Sequence, residues 1–167
     1  MKLLFYSGLV LLLVPLHTTI LPHVSVWGVK PDVGLVVATL IGLTAGEAEG
    51  LAIGLAIGWV LNMYSAGELW LSLVTKGGAG LLAGLLGRHV AQISTTVLCV
   101  GLLVLSLAGG TVTALVAKSD TLADTWWMVQ SIVLPQAIFD AAVGTGLFWI
   151  VRERMMLEWT RGYERYV

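Results

Sequence analysis

Apolar runs parted by only a few polar residues fill most of the chain. With a bilayer-length window they fall at residues 3–22, 33–46, 50–64, 69–87, 93–117 and 126–151. Each reads as a helix, because a backbone surrounded by lipid must satisfy its hydrogen bonds within its own segment. The pattern therefore predicts an all-α integral membrane protein with about six transmembrane helices. The second and third runs are short, about 14 and 15 residues, so they tilt in a thinned bilayer or stop below its far surface. Residues 1–151 form one transmembrane domain in this reading, and 152–167 a cytoplasmic juxtamembrane tail.

A second period runs inside this pattern. Glycines stand at 42, 46, 50, 54 and 58, one every fourth residue. On a helix that spacing leaves one bare stripe, along which another backbone can approach closely. Glu47 and Glu49 interrupt it; both are costly in hydrocarbon, so the chain is expected to turn in water there. Ala142 and Gly146 offer a second small-residue face, flanked by Ala141 and Thr145.

Composition and charge narrow the class. With 57% hydrophobic and 11% charged residues over 167 positions, the chain is too apolar for a soluble domain of its size. A formal charge of −1 provides no field to recruit nucleic acid. Merging 33–64 into one tilted helix gives five spans instead of six, and the basic residues choose between the counts. Six spans with an inner N-terminus put Lys2, Arg88, Arg152, Arg154, Arg161 and Arg165 in the cytoplasm and only Lys30 and Lys118 outside, as the positive-inside rule prefers. Five spans invert that bias. Both termini are therefore expected in the cytoplasm. Trp27, Trp70, Trp126 and Trp127 then fall near the outer interface and Trp159 near the inner one. Trp159, Tyr163 and Tyr166, among alternating acidic and basic residues, suit a tail lying in the headgroup region. The start, Met1-Lys2 and an apolar run to about Leu21, lacks an A-x-A-like cleavage site and reads as a retained first helix.

The chemical search finds no catalytic constellation. His17, His23 and His89 are far apart, and no pair has metal-ligand spacing. The serines lack a G-x-S-x-G setting, and no G-K-[ST] closes a phosphate loop. The lone Cys99 sits in an apolar run and reads as a core residue. No cofactor is expected. Two intramembrane charges stand out, Lys76 in the fourth span and Asp140 near the middle of the last, where a charge without a partner is disfavoured. They are expected to pair, or each to face a polar partner, with Lys76 alternatively snorkelling toward the outer surface; a proton or ion relay or a substrate counter-charge would be lined further by Gln136, Gln130 and Asn62. A structural contact outweighs a proton or ion relay, since two isolated charges make no continuous polar path.

Several of these residues fall in a recognisable order. Pro31-Asp32-Val33-Gly34-Leu35, then Gly50-Leu51-Ala52-Ile53-Gly54-Leu55-Ala56-Ile57-Gly58, then Asn62-Met63-Tyr64-Ser65-Ala66-Gly67 resembles the bacterial rod shape-determining protein MreD family. The likeness covers roughly residues 28 to 88. It includes a Pro-Asp pair opening the second span, glycines spaced by four and a small-residue-rich helix from Leu81 to Gly87. Asn62 departs from it, standing where that family usually shows an acidic residue. The resemblance implies a fold similar to the substrate-binding subunits of energy-coupling-factor transporters. It also implies a non-enzymatic subunit of the cell-elongation machinery in the bacterial inner membrane. Its implied partners are an MreC-like scaffold, a RodA-type polymerase with its penicillin-binding transpeptidase, and MreB filaments. Pro31, Asp32, Gly42, Gly46, Gly50, Gly54, Gly58, Asn62 and Ser65 are the implied packing and partner positions. The fold similarity supplies the alternative function, a vitamin-binding transporter subunit, for which the short outer loops and sparse polar residues leave little material.

Overall fold

The computed structural model describes residues 2–20, 23, 29–64, 67–89, 94–116 and 122–163. Among them the chain forms α1 (Lys2–Pro15), α2 (Val33–Ala45), α3 (Glu47–Asn62), α4 (Leu69–His89), α5 (Thr95–Val116), α6 (Leu122–Met128) and α7 (Leu134–Tyr163). Five-residue π-helical segments follow α1 (Leu16–Ile20) and join α6 to α7 (Val129–Val133). The second has a visible cause in Pro135, which offers no N–H and crowds the carbonyl four residues back. The wider turn relieves that crowding, and the Leu134 N–H reaches back five residues to Val129. Helix α7 then continues past residue 151 to Tyr163, so residues 152–163 prolong the last long apolar helix.

The described chain is all helical in its regular elements. Three stretches are long and apolar enough to cross a membrane: Leu69–Arg88, Thr95–Val116 and Asp124–Ile150. Tyr6–Thr19 and Val33–Ala45 are shorter apolar helices. Large apolar side chains point outward, among them Leu11, Val74, Leu86, Val104, Leu115, Ile138 and Trp149. The interior combines small residues, with Ala38, Ala79, Ala83, Ala137 and Ala141 all buried, with larger ones such as Ile57, Leu98 and Leu102. This distribution fits lipid as the surrounding solvent, where close contact rather than hydrophobic burial holds helices together. Trp70, Trp126 and Trp127 are exposed. Trp27, Lys118 and Ser65 lie outside the described residues. Cys99 is partly buried against the cluster of Val36, Leu98, Leu102 and Ala141.

The glycines form a seam, although not as one continuous stripe. Gly46 is where α2 ends and α3 begins, and its φ of 106° is a conformation that L side chains rarely adopt. It faces open space. The expected five-glycine ladder is thus corrected to two faces of a hairpin folded back on itself, with Gly42 packed against Gly50. Both faces meet α4. A Cβ at Gly42 would strike the Gly80 carbonyl, one at Gly50 the same carbonyl, one at Gly54 the carbonyl of Lys76, and one at Gly58 the Ser72 carbonyl at 2.7 Å. Helix α4 answers with small residues of its own. Gly80 lies on the Gly50 backbone, Gly84 on Glu47 and Gly87 on Leu43. These pairings make α4 antiparallel to α3 and parallel to α2, seated in the groove of their hairpin.

Around this unit, α1 runs beside α3, with Val10 and Leu13 packed among Val33, Ala38, Ile57 and Leu61. Helices α5 and α7 form an antiparallel pair. Gly110 meets Val133 near one end, and Gly144 meets Leu102 and Val36 nearer the other. The small-residue face of α7 is rotated from its expected position. Ala137, Ala141 and Gly144 are buried, whereas Ala142 is exposed and Gly146 faces open space.

The contrast among glycines is testable by thermal unfolding in detergent. Gly54→Ala forces a methyl group into the Lys76 backbone and is expected to cost about 1 to 3 kcal/mol, as overpacking does. Gly101 lies mid-helix with nothing within 4 Å of an added Cβ. Gly101→Ala should therefore raise stability by about 0.5 to 1 kcal/mol through helix propensity alone.

Candidate functional site

The α2 helix has only 13 residues, and its start lies inside the bundle. Asp32, its N-cap, is bonded through its own N–H to Asp140 of α7, and Asp140 is in turn bonded to Ser106 near the midpoint of α5. The Pro31-Asp32 pair therefore opens the second helix as expected, but at the mid-height of α5 rather than at its end. Asp32 uses both of its oxygens. Oδ1 accepts the Leu35 N–H at 3.0 Å, which caps the helix, and Oδ2 meets Lys76 Nζ at 2.9 Å. Pro31, buried immediately before it, brings no N–H to satisfy.

Lys76 is held in place from several sides. Its carbonyl rests on Gly54, and a Cβ at Gly34 would lie 3.0 Å from its Cε. Its ammonium also lies 3.5 Å from Ser72 Oγ, whose hydroxyl donates to the Gly58 carbonyl at 3.1 Å. The ion pair is only slightly exposed, the side chains of Lys76 and Asp32 retaining 11% and 20% of their accessible surface. Asp140 is completely buried. Its Oδ1 accepts the Asp32 N–H at 2.7 Å, and its Oδ2 the Ser106 hydroxyl at 2.5 Å.

The expected Lys76–Asp140 pair is thus corrected. Lys76 pairs with Asp32, and Asp140 takes two hydrogen bonds instead. The reason is register: the glycine seam brings Lys76 beneath the start of α2, where the N-cap carboxylate already lies. The broader expectation, that each intramembrane charge faces a polar partner, holds for both residues. Ser106 had no signal in the sequence, being one hydroxyl in an apolar run. Asp32 did have one, as an acidic residue after proline and just ahead of a helical apolar run.

Because α2 starts at mid-height, a cavity of about 290 Å³ remains beyond its N-terminus. Asp32, Lys76 and Ser106 form its floor. Leu71, Ser72 and Thr75 wall it from α4, Gly109, Gly110 and Thr113 from α5, Met128 from α6, and Ile132, Val133 and Gln136 from the π segment and α7. Asn62, Gly67 and Glu68 stand near its mouth. Asn62 and Gln136 therefore line the polar region as expected, whereas Gln130 is exposed and does not. A second cavity, also about 290 Å³, adjoins Asp32, between His17, Val29, Lys30, Pro31, Ile132 and Gln136. There His17 Nδ1 is buried without a hydrogen-bond partner among the described residues.

At the opposite end of the hairpin, Glu47 and Glu49 do more than mark a turn. Glu47 pairs with Arg88 of α4 at 2.5 Å, and Glu49 accepts a hydrogen bond from Tyr6 of α1. The first turn of α3 is thereby tied to both neighbours, where its acidic residues also suit the helix N-terminus.

A double-mutant cycle on unfolding free energy distinguishes the two pairings. Asp32→Asn leaves the Lys76 ammonium without a carboxylate and is expected to cost on the order of 3 to 5 kcal/mol, and adding Lys76→Met should recover most of that loss. The Lys76–Asp140 cycle should show a much weaker coupling. No family model, curated protein or solved structure matches this chain.

Proposed function

We propose that this chain is a non-enzymatic membrane subunit of the bacterial cell-elongation complex, similar to MreD, holding an MreC-like scaffold beside the peptidoglycan synthases. The observation that carries this reading lies in residues 28–88, the stretch that resembles the family. Asp32 and the glycines at 42, 50, 54 and 58 are all engaged in fixing α2, α3 and α4 against one another. Sequence features specific to the resemblance thus go into a rigid three-helix unit, the kind of frame an adaptor needs. Along the outer side of that unit, α1 and α3 enclose an apolar groove of about 750 Å³ between Val10, Leu11, Ala48, Ala52, Ile53 and Ala56. Ala48, Ala52 and Ala56 recur every fourth residue, so a partner's single transmembrane helix can approach the α3 backbone closely there.

The same reading includes six spans, with both termini cytoplasmic. It is supported by the alternating directions of α2 to α5 and α7, and by the charged contacts Glu47–Arg88 and Tyr6–Glu49 gathered at what would be the inner end. A RodA-type polymerase, its transpeptidase and MreB complete the proposed assembly. One observation favours the second reading, a vitamin-binding transporter subunit. The sparse polar residues of the sequence converge on one cavity at the proposed outer end, floored by Asp32, Lys76 and Ser106.

Affinity purification from a rod-shaped host separates these readings. An MreC-like protein should copurify, and deletion should give rounded cells; recovery of ATPase subunits with a tightly bound vitamin would select the transporter instead. Ala52 is exposed, so Ala52→Leu should leave thermal stability unchanged. It should nevertheless weaken partner retention about tenfold, equivalent to about 1.4 kcal/mol. For the topology, Lys30→Cys and Gly67→Cys are expected to react with an impermeant maleimide from outside the cell. Ala48→Cys and Tyr163→Cys should react only after the membrane is opened.

A further inference from the structure

The floor of the cavity carries an unbalanced charge. Asp32 and Asp140 are two carboxylates, joined through the Asp32 N–H, and Lys76 is the ammonium beside them. A cluster of this kind in a membrane interior must be neutralised, because low dielectric penalises each net charge it encloses. The compensating cation has to reach Asp140, which is fully buried, with each oxygen already engaged by a hydrogen-bond partner. A metal ion needs several oxygen ligands around it. Among the described residues no group of three or more His, Cys, Asp or Glu side chains comes together to supply them. A proton needs no additional space.

We propose that Asp140 is a proton-binding site, its proton held on Oδ2 against Ser106 Oγ and exchanged with the outer cavity through the Ser106 hydroxyl. Geometry selects the atom. Oδ1 faces the N–H of Asp32, a donor, so it must remain an acceptor. Oδ2 lies 2.5 Å from Ser106 Oγ, and a hydroxyl both donates and accepts, so this bond survives with the proton on either partner. Ser106 also lines the cavity. When its oxygen accepts from Oδ2, its own hydrogen is free to turn toward the cavity. Loading is then a balanced relay. A hydronium in the cavity gives a proton to Ser106 Oγ, Ser106 passes its former proton to Oδ2, and a water and a neutral carboxylic acid remain.

The groups that face this site from each packed element bear on the charge of Asp140. Helix α2 brings Asp32, whose charge is already matched by Lys76 of α4. Helix α5 brings the Ser106 hydroxyl, and α7 itself brings Gln136 one turn earlier, an uncharged amide. Glu68 stands at the cavity mouth and adds negative charge. His17 and Lys30 lie across the second cavity, beside Asp32. With a proton on Asp140, the triad is one ion pair and one neutral acid.

Infrared spectroscopy of the full-length chain in lipid nanodiscs at pH 7 tests this directly. The wild type should show the C=O stretch of a protonated carboxyl group. That band should shift on transfer to D2O, disappear in Asp140→Asn and persist in Glu68→Gln. Absence of the band from the wild type, or its survival in Asp140→Asn, would overturn the proposal. Because Asp140→Asn also alters a buried contact, Ser106→Ala provides a check that keeps the acid in place. Removing the acceptor of the Oδ2 proton must move the band to a higher frequency, and a band unchanged in Ser106→Ala would equally reject the assignment. The readout does not depend on any partner, so it stands or falls apart from the adaptor reading.

Discussion

The contact on which the rest depends is the approach of the α4 backbone to the backbones of α2 and α3. At Gly42, Gly50, Gly54 and Gly58 there is no room for even a methyl group, because the α4 main chain occupies the place where a Cβ would stand. In lipid, such contact is the main source of specificity between helices, since surrounding acyl chains are as apolar as any leucine. Its consequences spread outward. The Lys76 carbonyl lies on Gly54, its side chain passes Gly34, and its ammonium arrives under the first turn of α2. A helix start at that depth must then carry a carboxylate.

Asp32 meets that requirement while serving a second one. Its two oxygens divide between the helix cap and the ammonium, so one residue offsets both a free backbone donor and a buried charge. Its backbone N–H, left over by the cap, goes to Asp140. The chain α4, α2, α7, α5 is therefore connected at one level by Lys76, Asp32, Asp140 and Ser106. Polar contacts of this kind fix register, because a shift by one turn leaves a charge or a donor unsatisfied in a medium that cannot hydrate it. Above that level the shortness of α2 leaves the cavity, so the polar cluster and its access share one cause.

For function, the arrangement separates two kinds of surface. The three-helix unit is closely packed and turns apolar faces, including the groove beside α1, outward. The cavity is polar at its floor and lies between this unit and the α5–α7 pair. An adaptor uses the first surface and a solute or proton site the second. Asp32, at the N-terminus of α2, joins the three-helix unit to the floor of the cavity.

The apolar runs were enough to determine the helical class and the short second and third helices, and Glu47 and Glu49 marked a turn between them that the structure places at Gly46. Those features are local: a run of apolar side chains sets a helix, and a stripe of missing side chains sets a face. The need of Lys76 and Asp140 for polar company was equally legible, because it follows from the cost of a charge in lipid. What only the tertiary structure decided was who met whom. Gly46 left the seam because a fold-back needs a left-handed residue. Lys76 found Asp32 rather than Asp140 because α4 lies parallel to α2 and in contact with it. Ser106 became a partner of Asp140 through the α5–α7 pairing. Ala142 and Gly146 turned outward while Ala141 and Gly144 turned in. Each of these outcomes depends on the rotation and height of one helix relative to another, and a one-dimensional spacing rule carries neither.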